Sequence, residues 1–148
     1  MYKTPVSVLV VIYTPGLQVL LLERADHPGY WQSVTGSCDP GEALMQTAIR
    51  EVAEETGLDA ARHALSDWNM ENVFEIYAEW RHRYAPGVTH NTEHIFGLCL
   101  AEPLPVTLAP REHLNALWLP WREARAKVFS WTNVAAIEKL PEMAVRSE

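Results

Sequence analysis

Residues 50–57 read REVAEETG, with Glu51, Glu54 and Glu55 crowded behind a single Arg50. If the segment is helical, each residue advances about 100°, so the three carboxylates share an arc of roughly 100°. Like charges about 5.5 Å apart repel by roughly 0.8 kcal/mol in water and by ~3 kcal/mol at an effective dielectric near 20. Either that arc faces bulk water or a cation sits against it. Carboxylate oxygens are the hard ligands that Mg²⁺ takes together with waters and substrate phosphates. The second alternative is therefore metal-assisted phosphate chemistry, with Arg50 holding one carboxylate through paired N–H donors. The plain alternative is a charged surface helix, since glutamate is a good helix former. Spacing alone does not separate the two.

The elements that must position these residues can be read around them. Met45, Ala48, Ile49 and Val52 form one apolar stripe of a helix over residues 43–56, and Gly57 is its C-cap. The glutamates lie beside this stripe rather than opposite it, at the edge where helix meets sheet. Upstream, PVSVLVVIY (5–13) and LQVLLLE (17–23) are strands joined by a turn at TPG (14–16). YWQSVTG (30–36) is a shorter strand that leads into the turn-rich SCDPGE. Downstream, VFEIYAEW (73–80), TEHIFGLCLA (92–101) and LNALWLP (114–120) are strands, with RHRYAPGVTHN (81–91) connecting the first two. WREARAKV (121–128) and WTNVAAIEKL (131–140) close the chain as helices. Strands and helices mix without regular βα alternation, which predicts an α+β fold, a mixed sheet covered by helices.

The chain of 148 residues suits one domain spanning 1–148. Acids outnumber bases 19 to 12, for a net charge of −7. That excess argues against nucleic acid, whose affinity rests on Lys and Arg neutralising phosphates. A polyphosphate can still bind an acidic protein through a bridging divalent ion. Cys38 and Cys99 are too few for a disulfide framework, so a reducing cytoplasm is the expectation. The apolar run Val6–Tyr13 is short and Val-rich, reading as a buried strand and not as a signal or membrane segment.

Taken together, Gly36, five residues, Glu42, seven residues and then Arg50-Glu51-Val52-Ala53-Glu54-Glu55-Thr56-Gly57-Leu58 resemble the Nudix box of the Nudix hydrolases. Both glycines, four glutamates, the arginine and aliphatic Val52 and Leu58 fill every fixed position of that pattern. The resemblance implies an αβα sandwich and metal-dependent cleavage of a diphosphate linkage. It also implies roles: Glu51, Glu54 and Glu55 as metal ligands with the Gly36 carbonyl, Arg50 orienting a glutamate, and Glu42 either securing the loop or adding an outer-sphere contact. Mg²⁺ is the implied cofactor, with Mn²⁺ as a substitute. Outside the box, WQSVTGS, FEIY, RHRYAPGVTHNTEH and SWTNVAAIE resemble the branch of the family that removes pyrophosphate from 7,8-dihydroneopterin triphosphate in folate synthesis. Two alternatives are a house-cleaning pyrophosphatase acting on dNTPs such as dATP, and a Nudix-like module that senses a nucleotide without cleaving it.

Residues beyond the box complete the expected site. Glu112, just before the last strand, stands where the family often places an extra acid as ligand or base. Lys3 and Arg24 flank the first two strands and could clamp phosphates; Thr35 could donate to substrate. Phe74, Glu75, Ile76 and Tyr77 offer aromatic surface and strand backbone to a flat ring. Arg81, His82 and Arg83 form a basic patch for substrate or a subunit contact. Ser130 is the N-cap of the last helix, where an anion can also sit. Trp31 and Trp131 are expected in the core, His27 in a loop, and nothing indicates zinc. The expected partner is a small triphosphate, with no membrane and an open oligomeric state.

Overall fold

The computed structural model describes residues 1–146, so the domain expected over 1–148 extends two residues beyond those described. Its centre is strand β1 (Val6–Tyr13), whose VSVLVVIY run is buried almost throughout. A continuous apolar strand must be covered on both faces, and alternate residues of β1 indeed feed two separate cores. Leu9, Val11 and Tyr13 belong to one; Val8, Val10 and Ile12 belong to the other. One edge of β1 pairs in parallel with β6 (His90–Cys99), from Val6↔Thr92 to Tyr13↔Cys99. Two strands share its other edge: β2 (Gln18–Arg24) at Tyr13↔Val19 and β4 (Val34–Ser37) from Ser7↔Ser37 to Val10↔Val34. Short β3 (Trp31–Gln32) and β7 (His113–Pro120) flank β2, and β5 (Ala64–Glu75) lies beyond β6 as an edge. The result is a mixed sheet of seven strands.

Helix α1 (Leu44–Thr56) covers one face, setting Ala48 and Val52 against Val8, Val10 and Phe96. Gly57 ends it in the left-handed region, φ 74°, with its N–H donating to the Ala53 carbonyl, the usual reason for glycine at that position. The opposite face takes α2 (Trp121–Lys127), α3 (Trp131–Glu138) and α4 (Leu140–Arg146), whose Ala124, Ala136, Ile137 and Leu140 meet Leu9, Val11 and Ile95. Buried Asn133 pins α3 to the sheet by accepting from the Ser33 N–H (2.8 Å) and donating to the Ser33 hydroxyl (3.0 Å). The expected α+β sandwich is what forms.

Several expected boundaries move. The strand expected at 73–80 is instead the tail of β5, which starts nine residues earlier at Ala64 and ends at Glu75. A bulge between Asp67 and Met70, with Asn69 at φ 54°, breaks its alternation, and an edge strand carries polar residues that hide the period. Ala78–Arg83 is a 3-10 helix and not strand or loop. The final helical run splits at Lys139, and a further helix begins at Leu140, with Pro141 tolerated because its missing N–H is not needed in a first turn. Ser130 thus caps α3, which is not the last helix. Met45 is 40% exposed, so the apolar stripe of α1 is narrower than its sequence suggests.

Candidate active site

Gly36, near the end of β4, has no side chain, and a Cβ there would collide with the Glu51 side chain. Glycine therefore lets the first carboxylate of α1 lie directly over the strand. Arg50 ties the preceding loop to the helix. Its Nε and Nη2 donate to the two Glu42 oxygens (2.9 and 2.8 Å), Nη2 also to the Ser37 carbonyl (3.0 Å), and Nη1 to Glu51 (2.7 Å). The Arg50 bonds, with the Thr47 hydroxyl next, hold the Glu42 pKa down at about 2. Such charge-assisted paired contacts fix geometry as well as energy. Arg50 and Glu42 shape the loop, as the box resemblance implies.

Glu55, four residues on from Glu51, is only 3% exposed. Burial first, then the hydrogen bond and charge of Glu51, push its pKa well up; the Thr35 backbone N–H opposes this. Burial also raises Glu51, with the charge of Glu54 adding to it. Glu55 Oε1 has no hydrogen-bond partner among the described residues and lies 3.6 Å from His113 Nε2. His113 is itself held down at about 4 by burial and then by Arg24, so it remains neutral near pH 7. Glu51 keeps its contact with Arg50, whereas the more deeply buried Glu55 faces it with no cation of its own. Glu54 leans outward toward Arg50 Nη1 at 3.4 Å. Among the described residues no three His, Cys, Asp or Glu side chains close into a ready ion-binding set. An all-oxygen donor set with an orphaned buried oxygen fits a hard divalent ion.

These carboxyls open into a cleft of about 700 Å³. Of the residues expected from sequence, Lys3, Arg24, Thr35, Gly36, Arg50, Glu51, Glu54, Glu55, Phe74, Ile76, Tyr77, Glu112 and Ser130 all line it. Glu75 does not: it alternates away from Phe74 and pairs with Arg81 at 3.5 Å on the outside. Lys3 sits on the rim, where crowding of its amine and then the charges of Arg83 and Arg24 lower its pKa. Arg24 is more committed than a phosphate clamp needs to be. Asp26 accepts from its Nε and Nη2 (2.7 Å each), Gln32 accepts from Nη1 (3.1 Å), and its guanidinium lies 4.5 Å from the Trp80 ring centroid. Glu112 is exposed at the mouth, and its backbone carbonyl accepts from Ala25 N–H (2.9 Å). Ser130 Oγ accepts from the Asn133 N–H (3.2 Å) and also lies 3.4 Å from the Thr132 hydroxyl.

Several lining residues lie outside the set read from sequence. Phe129 and Trp80 join Tyr77 in an aromatic wall, with Tyr77 and Trp80 stacked at 5.3 Å and Phe129 edge-on to each at 6.2 Å. Trp131, expected in the core, is 56% exposed and lines the cleft, because it opens α3 on the side away from the sheet. Trp31 does pack against the core, and His27 lies in a loop, stacked on Tyr30 at 3.4 Å. Glu93 and Asn91 are buried side chains of the cleft contributed by β6. A signal for them exists in TEHIFGLCLA: stepping back by two from inward Ile95 lands on Glu93 and then Asn91.

The NUDIX domain pattern matches residues 3–140. The chain is 48% identical over 141 residues to the dihydroneopterin triphosphate diphosphatase of Escherichia coli K12, covering 93% of each. It is 44% identical over 143 residues to the enzyme of that name in Haemophilus influenzae, covering 93% of this chain and 88% of the relative. The solved structure of the E. coli dihydroneopterin triphosphate pyrophosphohydrolase superimposes with a TM-score of 0.88 at 47% identity, over 94% of this chain and 96% of that one. The chain belongs to the Nudix family of hydrolases, whose members generally use divalent metal ions. Among the described residues, no helix is long and apolar enough to cross a membrane.

Proposed function

We propose that the protein hydrolyses 7,8-dihydroneopterin triphosphate to dihydroneopterin monophosphate and pyrophosphate, with Mg²⁺ as its ion, on the route to folate. The observation that carries this is the end-to-end identity of 48% with an enzyme named for that substrate. The cleft is consistent with it, being lined both by carboxyls and by an aromatic wall. Two free cysteines fit a reducing cytoplasm.

In the reaction, water adds to phosphorus, the bridging P–O bond between the α and β phosphates breaks, and the electron pair leaves with pyrophosphate. Glu51, Glu54 and Glu55, with the Gly36 carbonyl beside them, would hold the ion. When bound, it supplies charge that polarises phosphoryl oxygens and acidifies water. Lys3 and Arg83 at the rim place positive charge against the phosphates. Glu112 stands at the mouth, where it can take the proton from water. Arg50 acts by positioning: it keeps Glu51 and the Glu42 loop in register. Phe129, Tyr77 and Trp80 present apolar faces to the ring.

The test is turnover of dihydroneopterin triphosphate with the products identified by phosphorus NMR, with and without EDTA. Stoichiometric pyrophosphate, lost with EDTA and restored by Mg²⁺, is expected. Release of single phosphates, or a faster reaction with dATP, would transfer the assignment to another phosphohydrolase activity.

A further inference from the structure

The cleft also holds buried polar groups for which hydrolysis has no use. Glu93 is 5% exposed and Asn91 1% exposed, two residues apart on β6 and therefore on the same face of the sheet. Both line the cleft. Asn91 Nδ2 donates to the Ser7 hydroxyl (2.7 Å), which fixes the amide and leaves Oδ1 as the free end. Glu93 accepts from the Thr132 hydroxyl of α3. Its Oε1 and the Asn91 Oδ1 have no hydrogen-bond partner among the described residues. Two adjacent buried acceptors without donors are costly unless something supplies the donors.

Their placement says where the donors come from. Glu93 pairs with Ser7 on β1, and Ser7 pairs with Ser37 on β4, the neighbour of Gly36. Two strand spacings thus separate the Glu93 backbone from the carboxylate loop, roughly 10 Å. That span suits a flat ring joined to a phosphate by a short chain.

We propose that Glu93, seconded by Asn91, determines ring specificity by accepting hydrogen bonds from two neighbouring N–H donors, the amino-and-lactam edge of a 2-amino-4-oxo ring. The inference rests on the proposed function in taking a pterin as the ring, but its chemistry is shared by guanine. Adenine presents one donor and one acceptor along the corresponding edge and leaves a carboxylate oxygen unmatched. A site built to bond particular N–H groups rejects an analogue lacking them far more strongly than apolar contact does. Burial holds the Glu93 pKa up at about 7, with Thr132 pulling the other way. Arriving donors would favour the ionised form. The backbone of residues 74–77, offered by sequence as the edge reader, gives way here to side chains of β6.

The experiment compares wild type, Glu93→Gln and Glu93→Asp for kcat and KM on dihydroneopterin triphosphate, dGTP and dATP, with melting temperatures for all three proteins. Gln keeps the shape but turns one acceptor into a donor, which matches adenine's edge. Its dGTP-to-dATP ratio of kcat/KM should fall at least ~10-fold, as should the pterin-to-dATP ratio, mainly through KM. Glu93→Asp keeps the charge and withdraws it by one methylene, so it should recover part of both ratios. Asn72, opposite Glu93 on β5, has an unpartnered Nδ2 and is the alternative donor. If Glu93 serves only to pair with it, melting drops and all three substrates lose by one factor. That result, or unchanged ratios in both variants, would overturn the proposal. Because dGTP and dATP read out Glu93 by themselves, a wild type that ignores the pterin overturns the proposed function, while the variants' ratio still decides for or against Glu93.

Discussion

Glu51 and Glu55 on α1 and Glu93 on β6 are all carboxyls whose pKa values are raised first by burial, yet their surroundings differ. The α1 pair has further carboxylates, Glu54 and Glu112, contributing charge, and one arginine laced through the rim. Glu93 has polar but uncharged neighbours, the Thr132 hydroxyl and the Asn91 amide among them. Crowded negative charge attracts a small, hard cation. A single buried carboxyl among neutral groups attracts N–H donors. In the proposed reading the first arrangement serves the reaction and the second the choice of ring.

The largest effect should come from the mouth. Glu51→Gln or Glu55→Gln preserves shape and removes charge, and kcat should drop roughly 10²–10³-fold, the scale of losing one preorganised electrostatic contributor. Steady-state kinetics on a variant with native circular dichroism checks this; full activity in either would remove the carboxyl pair from the mechanism. Next is Glu112→Gln, with a kcat loss of about 10²-fold if Glu112 moves the proton. Being exposed, it should alter stability by no more than about 0.5 kcal/mol. An unchanged kcat would make Glu112 a solvated rim residue.

Glu93 sharpens the comparison through pH. An acid whose folded pKa lies above its unfolded value binds its proton more tightly when folded. Its burial therefore costs nothing below about pH 4.5, and the cost grows as pH rises through the folded value of about 7. Thr132 and Asn72 face it as neutral groups, and Tyr84 is the ionisable neighbour, with its own pKa raised by burial. Denaturation of wild type and Glu93→Gln at pH 5 and pH 8 should show wild type losing more stability, by about 1–3 kcal/mol. Parallel pH profiles would mean that Glu93 is not held as an isolated buried acid. The smallest effect belongs to Ser130→Ala, which removes the α3 cap and should cost about 1 kcal/mol of stability. A larger change in KM than in stability would give its hydroxyl a substrate contact as well.

The two ends were also unequally legible in the sequence. The mouth is written contiguously: Gly36, Glu42 and Arg50–Leu58 sit on one loop and one helix, so spacing alone assembles them. The far end is assembled by tertiary structure from β1, β6, α3 and the segment after β5, and no linear spacing connects Ser7, Asn91, Thr132 and Phe129. Glu93 was readable in principle from strand alternation, but a glutamate in a strand ordinarily faces water. The start of β5 was masked because edge position and a bulge remove the apolar period. Glu75 went wrong for the converse reason: it alternates with true lining residues and so shares their segment but not their side of the sheet. The core strands β1 and β2 followed from composition because burial leaves little choice of residue.

In the proposed reading, one cleft joins an ion-binding site to a part that reads a 2-amino-4-oxo ring. The direct measurement is kcat/KM of the wild-type protein with Mg²⁺ for dihydroneopterin triphosphate and for dATP, side by side. The mouth treats both triphosphates alike, so any preference arises at the ring. A pterin preference of at least ~10-fold, about 1.4 kcal/mol in the transition state, is the predicted result. Equal values, or a preference for dATP, would contradict it.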